Sequence, residues 1–185
     1  MFSNESTLSQ FECFVFGKCL KLKSIAIPNS EKYIDKGAFI KCENLKEIIL
    51  TNITESIGHE AFSDCISLRS FWFPPLAKDI NARTFQNCRE LISFFIPKDT
   101  LLSSIKALAF ENCVKLEVFI IPKGIDSIDV NSFKKCIKLS NFTYLGVDEP
   151  WYTDRPFKGC ISLKKIYVTK LYRKDSFCEI KTEII

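Results

Sequence analysis

Residues 57 to 74 read IGHEAFSDCISLRSFWFP, which as a pattern is I-x-x-x-A-F-x-x-C-x-x-L-x-x-F-x-F-P. The F-x-x-C-x-x-L core of this stretch recurs along the chain, with its Phe at Phe16, Phe39, Phe62, Phe85, Phe110, Phe133 and Phe157. Each is followed at fixed distances by a Cys (Cys19, Cys42, Cys65, Cys88, Cys113, Cys136, Cys160) and a Leu (Leu22, Leu45, Leu68, Leu91, Leu116, Leu139, Leu163). Successive Phe positions stand 23, 23, 23, 25, 23 and 24 residues apart. A period in the twenties held over seven copies predicts a stacked solenoid rather than a globule with one central core.

Working outward, each Leu opens a predicted strand: LKSIAIP (22–28), LKEIILT (45–51), LRSFWFP (68–74), LISFFIP (91–97), LEVFIIP (116–122), LSNFTYL (139–145) and LKKIYVT (163–169). Alternation along a strand turns Leu22, Ile25 and Ile27 inward and Ser24 and Ala26 outward. Four of the seven end in Pro, which cannot extend a ladder, so strands of about four to six residues are expected. The chain then re-enters the core at Ile34, Ile57, Ile80, Ile105 and Ile128, with Tyr152 in the last full unit. Between the returning Ile and the Cys, segments such as GHEAFSD are expected to form a turn or so of helix, dependent on stacking.

Two units depart from the period. KDTLLSSIKALAF carries two extra residues before Ile105, and GVDEPWYTDRPF carries one extra residue, two prolines and Trp151. Insertions in solenoids map to loops. Trp151 is expected to pack over the shifted turn, with exposure for contact as the alternative. Residues 1–10 are polar and expected to fray. Phe11 takes the Ile position of a partial unit, and after Thr169 the repeat decays, with Tyr172 and Phe177 marking a shortened eighth unit and KTEII without a further copy. The irregular ends either cap the stack or continue into a longer array.

The 185 residues are 46% hydrophobic, with 6 Gly and 7 Pro, which excludes a disordered chain. A net charge of +4 without like-charge runs gives little pull toward an anionic partner. The opening MFSNESTLSQFECFVFGKCL is not a standard secretory signal, and no apolar run approaches the roughly 18 residues of a membrane span. Of nine Cys, seven hold one repeat position and read as small buried hydrophobes. No C-x-x-C occurs, and a single His, His59, leaves the usual zinc sets without partners. Cys13 and Cys178 fall outside the column and are the expected reactive thiols.

These units resemble the BspA-like group of the leucine-rich-repeat superfamily, whose unit has the form L-x-x-I-x-I-P, a returning I, then A-F-x-x-C. The resemblance covers about residues 11 to 169, with Thr51, Leu145 and Thr169 in place of the Pro and Thr84, Ser132 and Pro156 in place of the Ala. It implies an α/β repeat solenoid, curved, with a concave parallel β-sheet and short helical or extended segments on the convex side. It also implies a non-enzymatic protein-binding or adhesion role at a cell surface, without a cofactor. One domain is expected over 1–185, with about seven repeats at roughly 11–169 and irregular ends at 1–10 and 170–185.

Strands of adjacent units would lie about 4.8 Å apart, so equivalent outward residues form ladders. One ladder reads Ala26, Ile49, Trp72, Phe95, Ile120, Thr143, Tyr167, and its neighbour Ser24, Glu47, Ser70, Ser93, Val118, Asn141, Lys165. A solvated face would be polar; Ile49, Trp72, Phe95 and Ile120 instead form an apolar strip. The candidate partner-binding residues are therefore Ile49, Trp72, Phe95, Ile120 and Tyr167. The competing reading is cross-strand packing alone. Few Lys or Arg lie in the two ladders, so nucleic acid is not an expected partner. His59 has no nucleophile motif around it, and the six Gly form no phosphate loop. The sequons at Asn4, Asn52 and Asn141 would matter only in a secreted chain. Two functions remain: a surface adhesion module, or a cytoplasmic scaffold, which the missing signal and free thiols favour.

Overall fold

A computed structural model describes residues 13–185. The readings made for residues 1–10 and Phe11 lie outside the described residues. In chain order the repeats form β1 (Ser24–Ala26), β2 (Tyr33–Ile34), β3 (Glu47–Ile49), β4 (Ser56–Ile57), β5 (Ser70–Trp72), β6 (Asp79–Ile80) and β7 (Ser93–Phe95). They continue with β8 (Ser104–Ile105), β9 (Val118–Ile121), β10 (Ser127–Ile128), β11 (Asn141–Tyr144), β12 (Trp151–Tyr152) and β13 (Ile166–Val168). The tail adds β14 (Ser176–Phe177) and β15 (Ile180–Ile184).

The odd-numbered strands stack in parallel, in the register expected from the repeats: Ser24 pairs with Glu47, Trp72 with Phe95, and Thr143 with both Ile120 and Tyr167. The hydrogen-bonded ladder is interrupted between β3 and β5 and between β7 and β9, which still lie side by side. These strands run three to four residues in the repeats, shorter than expected. The inward residues after β1 and β5 still reach the next coil, Ile27 donating to the Ile49 carbonyl and Phe73 to that of Phe95, but Pro28 and Pro74 then remove the donor. A second parallel sheet, β2–β4 and β6–β8–β10–β12, marks where the returning Ile enters the core.

The helical segments expected between that Ile and the Cys are not formed; the described residues contain no helix, and the architecture is all-β rather than α/β. The reason is backbone conformation. In every unit the residues two before and two after the Phe have positive φ: Gly37 and Lys41, Glu60 and Asp64, Arg83 and Asn87, Leu108 and Asn112. A left-handed residue every fourth position cannot propagate a right-handed helix. Instead, alternate N–H groups split their work. Phe39 donates to Ala61 of the next coil at 2.8 Å, while Ile40 and Cys42 close tight turns on Gly37 and Phe39 at 2.9 and 3.1 Å. The positive φ at Lys41, third residue of its turn, is what a type II turn requires. The backbone here is thus tied coil to coil, like the sheets. No helix of the described residues is long and apolar enough to cross a membrane.

Inside, the Phe of each unit stacks on the next, with ring centroids 5.1–5.5 Å apart from Phe16 to Phe157. A second column, Phe71, Phe94, Phe119 and Phe142, stacks at 5.4–5.8 Å and meets the first edge-to-face, as at Phe71–Phe85 (4.6 Å). Both geometries are favourable for aromatic quadrupoles. The cysteines do more than fill space. Each thiol from Cys42 to Cys160 donates to the carbonyl of the preceding coil's Phe at 3.0–3.2 Å.

KTEII, unmatched to any repeat, supplies all but the first residue of β15, which extends the main sheet parallel to β13 and folds back antiparallel on β14. Its turn, Cys178–Glu179, has positive φ at both residues. Glu149 holds this turn, accepting from the Cys178 amide and the Lys174 ammonium at 2.7 Å each. Cys178 is therefore buried at the β14–β15 turn rather than reactive, and burial pushes its thiol pKa up; Cys13 is exposed.

Candidate functional site

Alternation on three-residue strands turns the middle side chain inward and leaves the first and last outward. Ile48 and Phe71 point in, and Ile49 and Trp72 point out. Exposure is 57% at Ile49, 69% at Trp72, 43% at Phe95 and 48% at Ile120, so none of the four contributes its full area to the core. Trp72 and Phe95, paired in register, stack on one another with centroids 4.6 Å apart and planes 21° apart. Val118, 45% exposed, widens the strip beside Ile120.

The fifth residue, Tyr167, is set apart from these four. Thr143 lies between, 7% exposed, and its hydroxyl donates to the Asn141 side chain. Tyr167 is half-buried; it faces Glu183 of β15 and has the Lys165 ammonium 5.3 Å from its ring centre. That ammonium is paired with Glu183, which raises its pKa. The contiguous part of the strip is thus four strands wide.

A row of charge beside the strip escaped the sequence reading. Lys23, Lys46 and Arg69 each follow the repeat Leu and stand on successive coils, Lys46 donating its amide to the Lys23 carbonyl at 2.8 Å. All three are exposed, and none forms an ion pair among the described residues. On the next three coils the position after the Leu holds Ile92, Glu117 and Ser140, and Glu117 pairs with Lys138 at 3.5 Å. The signal was present in the sequence as a basic residue after Leu22, Leu45 and Leu68, outside the two ladders considered.

Trp151 is 66% exposed on β12, on the short-strand sheet, so it does not pack over the shifted turn. In the insertion before Ile105, Leu102 lies in the core and Leu101 at the surface. A shallow groove near Tyr33, Ser56, Asp79 and Leu101 includes Glu55, whose carboxyl pKa is lowered by hydrogen bonds from Lys32 and Tyr33. His59 is exposed on a turn.

The sequence matches the family described as BspA type leucine rich repeat region, in six copies over residues 9–140 and 55–178. No curated protein sequence matches it. Among solved structures, a leucine-rich repeat protein from Bacteroides ovatus is similar over 94% of this chain and 44% of its own, at 28% identity and a TM-score of 0.71. The chain therefore spans less than half the length of that protein. The T. pallidum leucine rich repeat protein is similar over 83% of this chain and 71% of its own, at 26% identity and a TM-score of 0.73. Such repeats are generally non-catalytic interaction modules. By its repeats and its fold, the chain belongs to the BspA type leucine-rich-repeat family.

Proposed function

We propose that the chain is a non-catalytic protein–protein interaction module of the surface or adhesion type, acting as one domain and binding a partner protein on the outer, concave face of the long-strand sheet. Ile49, Trp72, Phe95 and Ile120 form the anchor of the site, and Tyr167 its far margin. The supporting observation is the contiguous exposure of four large apolar side chains on a face that needs none of them for its core. Two stacked aromatics at the centre of such a strip are the residue types that carry most binding energy in interfaces. A pull-down from the native source, wild type against Trp72→Ser with Phe95→Ser, tests this; equal recovery by both would place the binding surface elsewhere.

A second reading is an intracellular scaffold using the same face. It is favoured by the thiol ladder, since each Cys must keep its proton to donate to the Phe carbonyl. Surface labelling of intact cells separates the two, labelling supporting the adhesion reading and protection the scaffold.

A further inference from the structure

From the strip and its unpaired basic edge together, we infer that the partner presents an acidic, aromatic- or aliphatic-bearing segment in extended conformation. This inference rests on the proposed use of the same sheet face. Three cations, Lys23, Lys46 and Arg69, line the entry side of the first three long strands, against one carboxylate in the adjoining ladder, Glu47. The next three coils carry Ile92, Glu117 and Ser140 at that position, and Glu117 is paired with Lys138. A surface that stacks unpaired cations on three coils and carries none at the same position on the next three is complementary to an anion at the former.

The strip sets the length. Four strands with three spacings of about 4.8 Å span about 14 Å, and an extended chain advances about 3.3–3.6 Å per residue. A segment of about five or six residues therefore crosses it, alternate side chains entering the strip, and its end over β3 and β5 lies beside Lys46 and Arg69. Stacked bases are the less fitting anion. Trp72 and Phe95 lie face to face 4.6 Å apart, so the face each offers its neighbour is already occupied. The ring edges, which carry positive partial charge, suit carboxylates instead.

Panning a random hexapeptide display library against the whole chain tests this, with the best selected peptide then synthesised and its affinity measured. The expected result is enrichment of Asp and Glu beside aromatic or aliphatic residues. Affinity should fall about tenfold in Lys46→Glu with Arg69→Glu, and severalfold on raising salt from about 50 to 300 mM. It should be lost in Trp72→Ser with Phe95→Ser. Should charge reversal perturb folding, Lys46→Ala with Arg69→Ala replaces it with the same direction expected. Enrichment of neutral or basic peptides, or binding indifferent to Lys46 and Arg69 but dependent on Trp72, would overturn the acidic partner and leave the interaction face standing. No enrichment, or binding indifferent to all four residues, would overturn both. A thymidine oligonucleotide bound more tightly than any selected peptide would assign the basic edge to nucleic acid and overturn the inference.

Discussion

The Cys88 thiol donates to the carbonyl oxygen of Phe62 at 3.2 Å, joining the two signature positions of the repeat across adjacent coils. The same bond recurs along the stack, so the Cys that looks like a small hydrophobe is also a donor in a low-dielectric core. Burial drives these thiols far toward the protonated form; the Cys42 pKa is raised to about 11, and that of Cys88 further. An unfolded thiol ionises near pH 8.5. Because the folded pKa is the higher, the stabilisation is complete below the unfolded value and is lost as pH rises toward and through the folded ones. Each such thiol can steepen the fall by up to about 1.4 kcal/mol per pH unit. Melts between about pH 7 and 10 should therefore show a steep alkaline loss, flattened in a variant with several column Cys changed to Ala. A pH-independent midpoint over that range would contradict the ladder.

Phe85 sits at the crossing of both ring columns, stacked on Phe62 and Phe110 and edge-on to Phe71 and Phe94. Phe85→Ala is expected to cost about 3–5 kcal/mol, whereas His59→Ala, on an exposed turn, should be neutral. Urea titration of both variants checks this, and equal midpoints would mean the column contributes little.

Lys135, with φ of 60°, occupies one of the left-handed turn positions. In a helix, Lys→Gly would cost close to 1 kcal/mol; here relief of the backbone should offset the entropy, leaving Lys135→Gly neutral or slightly stabilising. A clear loss of stability would restore the helical reading of these segments.

Glu149 is tied to the β14–β15 turn through the Cys178 amide and Lys174. Glu149→Ala strands that amide and is expected to cost about 1–3 kcal/mol locally. Hydrogen exchange should then speed up at the Thr182 and Ile185 amides, which pair with Asp175 and Val168, while Phe85 stays protected.

The coils, the register and the outward ladder were legible because the Phe, Cys and Leu fix phase in every unit, and a strand residue's face follows from that phase alone. The turns were not. Their left-handed positions hold Glu60, Asp64, Arg83, Leu108 and Lys135, with Gly only at Gly37 and Gly159, so nothing in the side chains announces positive φ and polar spacing imitates a helix. Cys178 and Trp151 were misread for a related reason. Cys178 lies past the last repeat and Trp151 in an irregular insertion, and their surroundings depend on long-range contacts, to Glu149 and across β10–β12, that no local pattern carries. The basic edge was missed because Lys23, Lys46 and Arg69 fall between the inward Leu and the first outward position, where strict alternation breaks and assigns no face.

Trp72 and Phe95 carry the central claim, and one measurement addresses it most directly: the affinity of captured partner for Trp72→Ser with Phe95→Ser, read beside a thermal melt. Both rings stand outside the core, so the melt should match wild type while affinity falls at least about a hundredfold, from two anchors of about 2 kcal/mol or more each. A folded double variant that binds as tightly as wild type would contradict the account.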